Sequence, residues 1–298
     1  MLELKKVNKS FGDLRAVVDE SWTLKTGEIL GLIGQNGAGK STTFKMILNL
    51  LKPDQGTITW NGKKIGDDTL NEIGFLPEER GLYTDMTIED QVIYFAELHG
   101  KDKKFVQENL PVWMERFDVK GTLKTKIKKL SKGNQQKVQL ITTLIHEPKL
   151  IILDEPFSGL DPVNSDLLQD AVVQLKKDGA AIIFSSHDMN NVEKLSDKLV
   201  MLANGRVVLK GKVNDVRQSF GRTRLYLESH LKKTELSKIK GVLDIKPEKA
   251  GYQLILEDPK IGEIIFKKAT KNGYITAFDQ QPPTLDEIFN IKVKENRS

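Results

Sequence analysis

The octapeptide Gly34-Gln35-Asn36-Gly37-Ala38-Gly39-Lys40-Ser41 constrains this chain more than any other stretch. It has the form G-x-x-x-x-G-K-S and follows the apolar run Ile29-Leu30-Gly31-Leu32-Ile33. That frame predicts a strand, a glycine-rich loop and a helix. Glycines let the backbone wrap closely around an anion, because no Cβ stands in the way. Successive N–H groups then point at phosphate oxygens, and the following helix turns its positive dipole end to the same charge. Lys40 reaches the terminal phosphates, and Ser41 offers a hydroxyl to Mg2+. Binding of a nucleoside triphosphate is the expectation.

A second stretch adds chemistry to binding. Leu150-Ile151-Ile152-Leu153-Asp154-Glu155 is an apolar strand ending in two carboxylates. A strand buried on both faces delivers its last residues to the carboxyl edge of the sheet, where α/β folds hold ligands. Asp154 suits Mg2+, directly or through water, and Glu155 suits the proton of an attacking water. Triphosphate hydrolysis needs both a metal bridging β- and γ-oxygens and a group that orients the water.

The 298 residues allow two domains, and 39% apolar with 29% charged residues suits a soluble globular chain. No apolar run approaches the ~18–20 residues of a membrane-spanning helix, and the N-terminus lacks a signal-peptide core. With no cysteine, disulfides, thiolate metal sites and cysteine catalysis are excluded. This fits a cytoplasmic location. A charge of +5, spread along the chain, does not mark a nucleic-acid surface. It is compatible with an anionic membrane face.

The patterning predicts strands at 2–7, 21–24, 29–33 and 57–60 around the phosphate loop. Helical spacing takes over at 86–99 and 105–117, within an insertion over about 85–147. Strands at 150–153 and 181–184 with a helix at 164–177 complete a βαβ unit. Beyond about residue 218, strands at 225–227, 242–245, 252–256 and 274–278 and helices at 234–240 and 261–271 alternate. Their β-α-β-β-α-β order suggests a small α+β, ferredoxin-like domain over 219–298. A last helix is expected at 284–293. The phosphate loop occurs once.

Between the two chemical stretches lies Leu130-Ser131-Lys132-Gly133-Asn134-Gln135-Gln136-Lys137. It resembles the L-S-G-G-Q signature of ATP-binding cassettes. Ser158-Gly159-Leu160-Asp161 resembles the D-loop, and His187, after Phe184-Ser185-Ser186, the switch histidine. Over residues 1 to about 218 the chain resembles the nucleotide-binding subunit of an ABC transporter. The resemblance implies an α/β P-loop NTPase fold, the ABC cassette, with a mixed sheet and a helical subdomain. It implies an ATPase using ATP and Mg2+. It also implies nucleotide contacts at Gly34, Asn36, Gly37, Ala38, Gly39, Lys40, Ser41 and Thr42, with Phe11 stacked on adenine where the family more often has Tyr. Ser131 and Gly133 would cap the γ-phosphate held by a second subunit, Asp161 would link the two sites, and Glu155, His187 and Lys40 would be catalytic. Ser41, Asp154 and Glu78 would serve the metal. The end of the chain, Pro282-Pro283-Thr284-Leu285-Asp286-Glu287-Ile288-Phe289, resembles the accessory domain of a bacterial exporter branch that includes sodium-efflux and drug-exporting ATPases.

Two positions depart from the family. Glu78, after Phe75-Leu76-Pro77, replaces the Q-loop glutamine. A carboxylate still suits Mg2+, and its added charge near the triphosphate calls for an offset from Mg2+ or Arg80. Lys132 and Asn134 alter the signature itself. Lys132 is either an extra cation near the partner's phosphate or one solvated lysine among several.

These features imply export through a separate permease, powered by a homo- or heterodimer of cassettes peripheral to the inner membrane face. Asp85–Gly100, with the stripe Ile88, Val92 and Phe95, is the candidate permease contact, although core packing accounts for most of such a stripe. The alternative is a soluble ABC-type ATPase acting on ribosomes or nucleic acid. Translation factors of that kind carry two cassettes and repair factors carry long coiled coils, and neither feature is present, so no nucleic acid is expected. A kinase or GTPase is the other rival, and no N-K-x-D guanine motif occurs. The accessory domain is expected to serve dimer contact or regulation.

Overall fold

The computed structural model describes residues 1–79, 81–271 and 273–296, with Asp67 described by its backbone alone. Contacts divide the chain into two units, Met1–Lys210 and Gly211–Ser298. The division lies ahead of the composition shift near 218, because the helix Val213–Ser219 goes with the second unit.

In the first unit the strands are β1 (Leu2–Phe11), β2 (Leu14–Leu24), β3 (Ile29–Gly34), β4 (Gln55–Trp60), β5 (Lys63–Lys64), β6 (Ile73–Leu76), β7 (Leu150–Leu153), β8 (Ala181–Ser186), β9 (Lys198–Ala203) and β10 (Arg206–Lys212), the last running two residues past the division. The helices are α1 (Lys40–Ile47), α2 (Asp67–Leu70), α3 (Ile88–Leu98), α4 (Lys103–Arg116), α5 (Lys132–Leu144), α6 (Pro162–Lys177) and α7 (Met189–Leu195). Antiparallel strands form one sheet in the order β2-β1-β4-β5. A second sheet has the order β10-β9-β3-β8-β7-β6, and its strands from β9 to β6 are parallel.

Every residue of β3, β7 and β8 is buried, as expected for strands covered on both faces. One core cluster joins Leu2, Leu4, Trp22 and Trp60 of the small sheet, Phe44 and Ile47 of α1, and Leu30, Ile152 and Ile183 of the large one. The phosphate-loop helix is thereby clamped by apolar contacts to both sheets. Helix starts follow local chemistry. Thr87, Asp102 and Asp161 each cap a helix by accepting a backbone N–H, and Pro162 opens α6, where its missing N–H costs nothing.

The second unit contains α8 (Val213–Ser219), β11 (Arg224–Glu228), α9 (Lys233–Leu236), β12 (Val242–Glu248), β13 (Gly251–Leu256), α10 (Ile261–Thr270), β14 (Ala277–Gln281) and α11 (Leu285–Glu295). Its antiparallel sheet runs β12-β13-β11-β14, with β11, the first strand of the motif, and β13, the third, at the centre. This is the ferredoxin-like arrangement expected from β-α-β-β-α-β. Leu225, Leu227, Leu254, Leu256, Ile265 and Ala269 form its core. The last strand starts at Ala277, three residues after the expected start; Tyr274 is 89% exposed and belongs to the preceding loop.

Candidate functional site

Four neighbouring parallel strands, β3, β8, β7 and β6, end on the same side of the large sheet. The segments that follow them are the phosphate loop, His187, Asp154-Glu155 and Pro77-Glu78. Parallel register thus gathers four segments spread over more than half of the sequence.

The loop between β3 and α1 depends on glycine. A Cβ on Gly34 would lie 2.6 Å from the Leu202 carbonyl oxygen, and one on Gly39 would lie 2.7 Å from that of Ala16. Gly37, at φ 79°, meets nothing within 4 Å, so its face of the loop stays clear. Gly39 caps α1 with no side-chain acceptor, and the first turn of α1 has no acidic residue. Its N–H groups therefore remain suited to an anion. Asn36 and Ser41 are exposed, Ala38 is buried and Thr42 is half-buried. The Lys40 ammonium donates to the carbonyls of Gly34 at 2.7 Å and Gln35 at 3.3 Å. Burial lowers the Lys40 pKa, whereas the charges of Glu155, Asp154 and Glu78 favour its protonated form. The three carboxylates predicted from sequence thus all act on one lysine.

Ser185 of β8 organises the acidic pair. Its hydroxyl donates to Asp154 Oδ1 at 2.6 Å and accepts from the Glu155 backbone N–H at 2.8 Å. Asp154 is buried. Glu155 adopts φ 48°, a left-handed conformation that costs a non-glycine residue roughly 1 kcal/mol or more. Its Oε2 lies 2.8 Å from His187 Nδ1, and the imidazole is otherwise open to solvent. Sequence reasoning passed over Ser185. The available signal was register, because Leu153 pairs with Phe184 and the next residues, Asp154 and Ser185, are therefore neighbours.

Glu78 is exposed, and Arg80, its suggested counter-charge, lies outside the described residues. Among the described residues no group of three or more acidic or histidine side chains could hold a metal alone. A hydroxyl and carboxylates near a phosphate cradle still suit Mg2+, which keeps several waters and takes its remaining ligands from phosphates.

Ser131 caps α5, accepting from Asn134 N at 3.3 Å and Asn134 Nδ2 at 3.0 Å. Its own hydroxyl hydrogen is then left to donate outward. Gly133 lies beside Asn164, whose backbone and side-chain amides Asp161 binds at 2.9 and 2.6 Å. Those bonds hold the Asp161 carboxyl below its usual range. Phe11, at the tip of the β1–β2 hairpin, is 50% exposed, with the Lys9 ammonium 5.8 Å from its ring centre. Ile88 and Val92 are fully buried, which excludes them as a contact surface. Tyr83, Tyr94 and Leu98 are the exposed large apolar groups there, the two tyrosines packed edge-to-face at 5.9 Å with half-buried Phe95 beside both.

The ABC transporter family matches residues 17–158. The C-terminal domain family of DrrA1-3-like ATP-binding proteins matches residues 211–293. An uncharacterized ABC transporter ATP-binding protein, YhaQ of Bacillus subtilis (strain 168), is 42% identical over 98% of both chains. This chain belongs to the ABC transporter ATP-binding proteins. The Nod factor export ATP-binding protein I of Sinorhizobium fredii (strain NBRC 101917 / NGR234) is 29% identical, over 97% of this chain and 84% of that one. A solved ATP-binding subunit of an ABC transporter is 34% identical and superposes with a TM-score of 0.69, over 74% of this chain and 93% of that one. The cassette therefore has the P-loop ABC fold with a C-terminal antiparallel-sheet domain, and no helix among the described residues is long and apolar enough to cross a membrane.

Proposed function

We propose that this cassette hydrolyses ATP to drive export through a separate membrane permease, at the cytoplasmic face of the cell membrane and as one of a pair. The observation that carries this reading is the row of strand ends at which Lys40, Asp154, Glu155 and His187 converge. Lys40 and the loop amides hold the phosphates, and Phe11 stacks on adenine. Glu155 takes the proton of the attacking water while His187 steadies its carboxylate. Ser41, Asp154 and Glu78 are the residues that would hold Mg2+, which when bound neutralises charge on the β- and γ-phosphate oxygens.

The outward hydroxyl of Ser131 and the bare backbone at Gly133 suit a phosphate held by a second subunit, with Asp161 beside them at the joint. One phosphate loop and one signature per chain then require a dimer. Exposed Tyr83 and Tyr94 suit docking to the permease, because aromatic rings give large contact area at low entropic cost. Export is supported by the similarity to the Nod factor export ATP-binding protein, which extends over both units. Glu155→Gln should retain ATP affinity and lower hydrolysis by about 10²–10⁴-fold, the usual contribution of a general base. Unchanged turnover in that variant would remove Glu155 from the chemistry and the reading with it.

A further inference from the structure

Glu20 is a fully buried carboxylate that takes no part in the proposed hydrolysis. It lies on β2 just after Asp19, whose φ of 52° marks a left-handed residue in the irregular stretch of the β1–β2 ladder. Such irregularities re-aim side chains, and here Glu20 and Trp22 both point inward. Glu20 Oε1 accepts from the Trp22 indole at 2.7 Å, and Oε2 accepts from Thr43 Oγ1 at 2.7 Å. Burial pushes the Glu20 carboxyl up, and both donors oppose that shift. A buried carboxyl is costly unless it is hydrogen-bonded, and the two bonds tie Glu20 to its own strand and to α1.

Thr43 stands in the first turn of α1, three residues after Lys40. Its N–H bonds the Gly39 carbonyl at 2.9 Å. The same strand supports the phosphate loop in two further ways. The Ala16 carbonyl closes the space behind Gly39, and Val18 N–H bonds Gly205 O at 2.7 Å, while Gly205 N–H bonds Ala38 O at 3.2 Å. The strand continues back through the hairpin to Phe11.

From this geometry we infer that Glu20 is a positioning residue, which holds the first turn of α1 through Thr43 and so presets the phosphate loop for nucleotide. The inference rests on the phosphate-binding role of that loop. Trp22 supplies the opposite bond, so its loss affects packing but leaves the link to α1 intact.

The test compares Thr43→Val, Thr43→Ser, Trp22→Phe and Glu20→Gln in the full chain, measuring ATP and ADP affinity by calorimetry alongside thermal stability. Thr43→Val keeps the shape, removes the link, and should weaken both nucleotides about 10-fold, the scale of one hydrogen bond to a charged group. Thr43→Ser restores the hydroxyl and should restore affinity. Trp22→Phe should lower the melting temperature with affinity unchanged. Glu20→Gln should fall between wild type and Thr43→Val. Wild-type affinity in Thr43→Val, or equal losses in Thr43→Val and Trp22→Phe, would reduce Glu20 to a packing residue and overturn the inference. Lys40→Ala is measured in parallel. If it binds ATP as the wild type does, the phosphate-loop reading itself falls, which is a separate outcome.

Discussion

The two units handle buried polarity in opposite ways. In the first, Lys40, Asp154, Ser185 and Ser186 are buried where strands end, and Glu155 beside them holds a left-handed conformation. In the second, Gln253 is the one buried polar side chain among the described residues, and Lys246, Asp279 and Gln281 of the same sheet are exposed. Its one left-handed non-glycine residue among those described is Lys249, in the turn between β12 and β13. Burying polar groups is costly unless they are bonded, and the first unit carries many of them, four beside the phosphate loop and the acidic pair. The sheet of the second unit has an apolar core and solvated polar edges, and shows no such concentration among its described residues.

The largest effect that could break this contrast is in the second unit. Leu254 is fully buried, and Leu254→Ala should destabilise that unit by about 2–5 kcal/mol. ATP affinity should stay unchanged, and a matching loss of affinity would show that the accessory unit shapes the nucleotide site.

The next effect concerns acid stability in the first unit. The His146 ring lies flat on His99 with centroids 3.8 Å apart, and burial pushes its pKa from 6.5 to about 4. The folded chain keeps this imidazole neutral, whereas the unfolded chain protonates it below pH 6.5. Stability is therefore full above that pH and falls by roughly 3 kcal/mol as pH drops to about 4. His146→Leu should flatten that part of the stability curve. If the slope persists in denaturant titrations, the acid sensitivity comes from other groups.

The smallest effect sharpens the site. Ser185→Ala leaves Asp154 and the Glu155 amide each short of a bond, which should cost about 1.5–3 kcal/mol in turnover. Intact turnover would mean that the pair is held by backbone alone.

Local features were legible in the sequence and long-range ones were not. The phosphate loop, the apolar strands β3, β7 and β8, and the β-α-β-β-α-β order each lie within a short window, so spacing and composition reveal them. The patterning marks β2 only over 21–24, yet it spans Leu14–Leu24. Charged Asp19 and Glu20 interrupt the apolar pattern, and only the structure shows Glu20 bonded inside the core. The β-type residues place the last strand at 274–278, but pairing of Arg224–Glu228 with Ala277–Gln281 sets it three residues further on. The stripe Ile88, Val92 and Phe95 points mostly to core packing, and Ile88 and Val92 are indeed fully buried. Ser185 reads as an ordinary strand residue until register sets it beside Asp154.

In the proposed pair, each chain carries half of a nucleotide site. The most direct test mixes two variants, one with Lys40→Ala and an intact signature, the other with Ser131→Arg and an intact phosphate loop. Each should be inactive alone. The mixture should regain ATP hydrolysis, because a pair of unlike chains contains one complete site. No recovery on mixing, in chains that still associate, would contradict a site shared between subunits.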